Sequence, residues 1–423
     1  MKFKILFLAV IFLLTFAKIS FAQNISEIPV DLNDKESCKK YIAEICAETL
    51  NLLSQKDLPP APNYENLRAA VEKISDGKNT VILDAAGYPS IMVKIEKFTA
   101  SNKKIHPMFK VNQKIYPCVY IGKYESSVYH GRAYSLPNVD PATMVNISQA
   151  RELCKNKGRG WHVTTNIEYA GISYLCALQN FYPHGNANTD IDENFYPNES
   201  GRITFEKRND AGRILIRRMA TGSGPANWAH DGTENGIYDL NGNIWETAEG
   251  VRLVNGEIQI IPDNNAALFE NWNDWHAVTS RGKLTKKFSA NTWKFDSTKS
   301  DSEKVFKRIE GAIPFLSLTR ENSMHAPEDI NRNFGFGTCK FSEMTATKKV
   351  PEVLKAQMLF PSQLKDFTDS IIWVRNYGTR RILRGGMWGH STGIFGYSFA
   401  ATWDDASPGM GFRISYIDFE GKI

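Results

Sequence analysis

Long apolar runs, clustered cysteines and a strong charge of either sign are all scarce in this 423-residue chain. After residue 22 no stretch approaches the roughly 18 consecutive apolar residues that a membrane-crossing helix needs, so no stable span is expected there. No CxxC and no Cys/His cluster at zinc spacing occurs, which argues against a zinc finger or a thioredoxin-like centre. P-loop and GxGxxG patterns are missing too, which removes the simplest nucleotidase and dinucleotide-binding readings. The net charge is only +5, and Lys2, Lys4 and Lys18 lie in the first 22 residues with no acid beside them, leaving +2 on the remainder. That balance gives no reason to expect nucleic acid or an anionic membrane as a partner.

The residues that are present describe an exported globular protein. Apolar residues make up 42% and charged residues 23%, an ordinary globular balance that fits neither disorder nor a fibrous repeat. The N-terminus reads as a secretory leader over residues 1–22: a basic Met1-Lys2-Phe3-Lys4, an apolar core from Ile5 to Ala17, and Ser20-Phe21-Ala22 before cleavage at Gln23. No Cys sits at that junction, which argues against a lipid anchor. The expected location is therefore secreted, periplasmic or cell-surface. Export permits disulfides among the six cysteines, and buried free thiols are equally compatible with their spacing. Cys38 and Cys46 cannot pair with each other inside a helix, because eight residues advance about 12 Å.

The chain divides by pattern. Asn33-Asp34 precede apolar positions Cys38, Tyr41, Ile42, Ile45, Cys46, Thr49 and Leu53, which predicts a capped amphipathic helix that ends before Pro59-Pro60. A second helix is expected over Tyr64–Ile74. Residues 23–77 thus form a helical appendage, which either packs on the main domain or offers its apolar stripe for self-association. From residue 78 the pattern turns to strands. Thr80–Leu83 and Ile91–Ile95 flank Ala86-Gly87-Tyr88-Pro89 as a hairpin, and Tyr116–Tyr124 reads as a further strand. Helices are expected over Ile147–Lys155 and after Thr165, whose spacing to Glu168 is that of a capping box. The stretch 264–369 has weak periodicity and reads as an insertion.

Four segments carry a resemblance: Gly160-Trp161-His162-Val163-Thr164-Thr165-Asn166-Ile167-Glu168-Tyr169, Gly236-Ile237-Tyr238-Asp239-Leu240-Asn241-Gly242-Asn243-Ile244-Trp245-Glu246, Arg384-Gly385-Gly386-Met387-Trp388, and Gly411-Phe412-Arg413. In order and spacing they resemble the formylglycine-generating-enzyme, or sulfatase-modifying-factor, superfamily. His130–Pro137, Val139–Thr143, Ala220–Pro225 and Gly393-Ile394-Phe395 are further similar to the variable proteins of diversity-generating retroelements. The resemblance implies an α+β, C-type-lectin-like domain over 78–423, with short strands, two helices and long loops. In the variable proteins that scaffold displays a C-terminal surface for ligands.

The resemblance also frames two functions. The oxidases of the superfamily use a copper-binding cysteine pair shortly after RGG-x-W, yet here Gly389-His390-Ser391-Thr392 follow Trp388 and no cysteine occurs after Cys339. Hydroxyl and imidazole groups do not reproduce a dithiolate Cu(I) site. A non-catalytic binder of a protein or glycan is expected, the alternative being an oxidase or related enzyme with an altered active site. No cofactor is required by this reading. The superfamily's Asp-to-Glu segment implies a structural Ca²⁺ at Asp239 and Glu246, unless these acids serve in caps or ion pairs.

For the binding surface, Phe395, Tyr397 and Phe399 alternate and are expected to face the core, which turns Ser398 and Ala400 outward. Trp403, in the turn-rich Thr402–Gly409 loop with Asp404, Asp405 and Ser407, is the expected anchor. Met387, His390 and Ser391, which flank Trp388, should line the other side of the same patch. If Trp403 anchors a ligand, its removal should weaken binding with little change in stability; if it lids the core, stability should fall as well.

Overall fold

Asp34 opens the first helix, α1 (Lys35–Leu53), by accepting the backbone N–H groups of Glu36 and Ser37 on its carboxylate. The second, α2 (Glu65–Ile74), comes after the proline-rich turn. The computed structural model describes residues 25, 28–100, 103–186, 196, 198–212, 214–289, 291–300, 312–324, 335–362, 370–421 and 423. The leader expected at 1–22, with its junction at Gln23, lies outside these residues. Cys38, Tyr41, Ile45 and Cys46 of α1 and Leu67 and Val71 of α2 are buried in one apolar cluster with Tyr88, Ile91, Tyr134 and Trp228. The helices therefore dock on the rest of the chain, and the stripe considered for self-association is covered.

Beyond the helices the fold is mixed α and β. β1 (Asn79–Leu83) and β2 (Pro89–Glu96) form the expected hairpin, with Asn79 opposite Val93 and Leu83 opposite Pro89. β3 (Cys118–Gly122) pairs with β2. α3 (Ile147–Lys155) and β4 (Trp161–Val163) come next, and then α4 (Asn166–Gln179). Thr165 and Glu168 make the capping box the sequence predicts, each side chain taking the other's backbone N–H. β5 (Ile203–Arg208) and β6 (Ile214–Met219) build a separate hairpin that the sequence pattern does not foreshadow.

The larger sheet collects β7 (Trp245–Val254), β8 (Glu257–Ile260), β9 (His276–Val278), β10 (Leu284–Thr285), β11 (Lys294–Ser297), β12 (Pro314–Ser317), β13 (Gly337–Lys340), β14 (Ile371–Val374), β15 (Thr379–Arg384), β16 (Tyr397–Phe399) and β17 (Met410–Phe412). Its main path runs β10-β9-β8-β7-β15-β16-β14-β13. The last strand, β18 (Ile414–Tyr416), returns to the first sheet between β3 and β4. Beginning and end of the domain are thereby tied together.

Five of these strands, β9 to β13, come from the stretch 264–369 that reads as an insertion. It is woven into the sheet, and Trp293, Phe295, Leu316, Phe341 and Leu354 are buried in the main core with Phe395, Tyr397 and Phe399. Its hydrophobic positions serve short strands of two to four residues, too brief to show a period. All six cysteines are free thiols. Among the described residues no helix is long and apolar enough to cross a membrane.

Candidate functional site

β16 lies between β15 and β14, with Ser398 opposite both Leu383 and Trp373. The alternation sends Phe395, Tyr397 and Phe399 into the core as expected, each fully buried. Ser398 corrects the other half of that expectation. It is only 2% exposed: a small side chain between its larger cross-strand neighbours Leu383 and Trp373, on a face that carries a cluster of its own. There Trp245, Leu383 and Ala401 form a small buried cluster, against which Trp373, Met387 and Met410 pack half-buried. Ser398 turns its hydroxyl to the Ala400 N–H at 3.1 Å and lines no surface. Ala400 is half-buried at the margin. The exposed remainder is an apolar shelf of Trp373, Met387 and Met410, braced by Trp245 edge-on to Trp373 at 5.3 Å.

Trp403 also differs from the expected free anchor. It is half-buried, and the Arg151 guanidinium lies 5.0 Å from its ring and 4.6 Å from that of Trp272. Trp275 meets Trp403 edge-to-face at 6.2 Å, and Arg252 covers Trp275 at 4.3 Å. Arg151 donates two hydrogen bonds to Glu249, at 2.6 and 2.9 Å. The result is a ladder of three tryptophans and two arginines. Trp272 and Trp275 were missed from sequence, where their only signal is two tryptophans three apart in a polar stretch.

The loop carrying Trp403 is internally held. The Thr402 N–H donates to the Asp405 carboxylate at 2.7 Å, while the Asp405 carbonyl accepts from Arg381. Ser407 accepts the Gly409 N–H at 3.3 Å, and its carbonyl accepts from Met144 and Met410. Asp405 and Ser407 thus shape the loop, and Asp404 stands exposed. The ribbon Gly386–Ser391 pairs Met387 with His390 and Gly386 with Ser391. The side chains of His390 and Ser391 lie outside the described residues.

Comparison with models of known protein families and with curated proteins finds no match. The chemistry of the site must therefore be read from its own residues.

Below the shelf lies a buried charge junction. Arg413 donates through Nε to Glu246 at 2.9 and 3.2 Å, through Nη1 to the Gly122 carbonyl and through Nη2 to that of Tyr238. Both oxygens of Glu246 are thus engaged by a cation the chain supplies itself. Asp239 accepts the Gly222 N–H on Oδ2 at 2.8 Å, and its Oδ1 has no hydrogen-bond partner among the described residues. Among the described residues no group of three or more His, Cys, Asp or Glu is placed to hold a metal ion. The Asp239 and Glu246 pair does not fit calcium, since the guanidinium occupies the carboxylate a calcium ion would need. Burial pushes the Glu125 carboxyl well up and that of Asp239 to about 6, Arg413 offsetting only part of the cost.

The thiols are equally quiet. Burial raises Cys46 and Cys339 to about 12, and Cys154 and Cys176 higher still. A thiolate is the nucleophile and the metal ligand, so none of these groups is prepared for either role at neutral pH.

Proposed function

We propose that this chain is an exported, non-catalytic ligand-binding protein built on a C-type-lectin-like scaffold of the sulfatase-modifying-factor kind, with a protein or glycan as its ligand. The observation that carries the reading is the half-buried shelf of Trp373, Met387 and Met410 on the outer face of the central strands, beside the Trp403 ladder. Large, partly exposed aromatic and thioether side chains, held by neighbours that fix their rotamers, supply contact area at low entropic cost. The absence of any cysteine after Cys339 supports a binder over a copper oxidase. The anchor assigned from sequence moves accordingly. Trp373 and Met387 take the place of Ser398, and Trp403 serves mainly to hold its loop.

The test screens labelled protein on a glycan array and a protein microarray, then repeats each hit with Trp373→Ala and Ala400→Arg. Both variants should weaken binding at least about tenfold, or 1.4 kcal/mol, with the circular dichroism spectrum retained. Hits that ignore both changes would move the site off the shelf. Copper-dependent conversion of a cysteine-containing peptide to formylglycine would overturn the non-catalytic reading.

A further inference from the structure

A second cavity stands apart from the sheet face, where α1 meets the main domain. It is a cleft of about 620 Å³, within the range of small-molecule sites. Lys123 reaches it from just beyond β3 and is only 6% exposed. Its ammonium has three donors. One goes to the Glu234 backbone carbonyl at 2.6 Å, and among the described residues no carboxylate lies within ion-pair distance of it. The Glu234 carboxylate is itself drawn to Lys39 of α1, at 3.0 Å.

Burial holds Lys123 down to about 8, and the Asp231 and Glu234 carboxylates, acting from beyond ion-pair distance, offset only part of the cost. The surroundings are shaped for more than a lone cation. The Tyr124 and Tyr238 rings, 6.1 Å apart and tilted by 34°, stand 5.9 and 6.0 Å from its nitrogen. Gly222 closes the wall at φ +63°, where an added Cβ would lie 2.2 Å from the Tyr124 ring. Lys35 and Lys39 of α1 line the cleft as well, Lys39 already paired with Glu234 and Glu36.

We propose that this cleft binds a small anionic ring compound, its acid group on the Lys123 ammonium and its ring against Tyr124 and Tyr238. Carboxylated and phosphorylated sugars share that chemistry: an anion for the unmatched donors, and a ring with C–H faces for the tyrosines. The cleft shares no residue with the sheet-face shelf and stands independently of it.

The test is isothermal titration of the full chain with glucuronate, glucose 6-phosphate, glucose and inorganic phosphate. At least one of the two acidic sugars should bind, and which one does identifies the source of the anion. Glucose should not bind, and inorganic phosphate should bind more weakly than the phosphorylated sugar. Lys123→Met should weaken the interaction at least about tenfold. Should that variant fail to fold, Ile42→Trp, which fills the cleft from α1, should abolish binding instead. Silence from both acidic sugars, or binding that survives Lys123→Met or Ile42→Trp, would overturn the proposal. Equal binding of inorganic phosphate and glucose 6-phosphate would overturn the role of the ring.

Discussion

Arg151 and Lys123 are both cations held between aromatic rings, and the chain surrounds them differently. Arg151 lies between Trp272 and Trp403 and spends two donors on Glu249, a carboxylate whose side chain is 2% exposed. Lys123 lies near Tyr124 and Tyr238 and, among the described residues, donates to a backbone carbonyl, with the Asp231 and Glu234 carboxylates beyond ion-pair distance. The first arrangement is complete: a planar guanidinium suits both stacking and bidentate pairing. The second leaves donors unmatched in a cavity wide enough for a guest. A cation–π contact therefore says little about function until the counter-charge has been counted.

Four changes test that contrast. The largest effect should come from Glu249→Ala, which strands Arg151 without its carboxylate and should cost about 3 kcal/mol of stability. A urea midpoint unchanged from the wild type would show the ladder to be ornamental. Trp403→Ala comes next, at about 2 kcal/mol, because it removes a half-buried ring from both Arg151 and Trp275. A thermal melt that does not move would return Trp403 to the role of a free anchor.

Asp239→Asn should act in the opposite direction. Burial raises the Asp239 carboxyl from 3.8 to about 6, so the folded state holds its proton more tightly than the unfolded state does. That contribution is full below about pH 4 and is lost as pH rises through 6, so at pH 7.5 the native protein bears a buried charge. The asparagine variant, which keeps an acceptor for Gly222, should be more stable by about 1.5 kcal/mol at pH 7.5, about half of the full linkage value because the buried amide has its own desolvation cost. Calorimetry should show the two proteins converging near pH 4. A constant gap across that range would mean that Asp239 titrates normally. The smallest effect belongs to Lys123→Met without ligand, within about 1 kcal/mol of the wild type, since the exchange removes a buried charge and keeps the volume. A loss as large as that of Glu249→Ala would show that Lys123 is already satisfied.

Local signals proved reliable where one residue acts on its near neighbours. The Asp34 cap, the Thr165 and Glu168 box and the hairpin of β1 and β2 were each legible from a few positions. The inward set Phe395, Tyr397 and Phe399 was legible as well. Ser398 failed for an instructive reason: period two separates the faces of a strand, and it does not reveal whether the second face meets solvent. Here the larger side chains of Leu383 and Trp373 on the neighbouring strands shield it. The β5 and β6 hairpin was overlooked because its sequence mixes charges with exposed Ile203, Phe205 and Leu215, blurring the alternation.

Caps, turns, helix stripes and the buried row of β16 are therefore specified by the amino-acid order alone, because their causes are local. Long-range packing was needed to bring 264–369 into the sheet, to set Trp272 and Trp275 around Trp403, and to give both oxygens of Glu246 to Arg413. It also placed Lys123 in a cleft formed with α1. Each of these rests on contacts between residues far apart in the chain, where free energy comes from area buried and charges matched after folding. Neither quantity is written in the spacing of neighbouring residues.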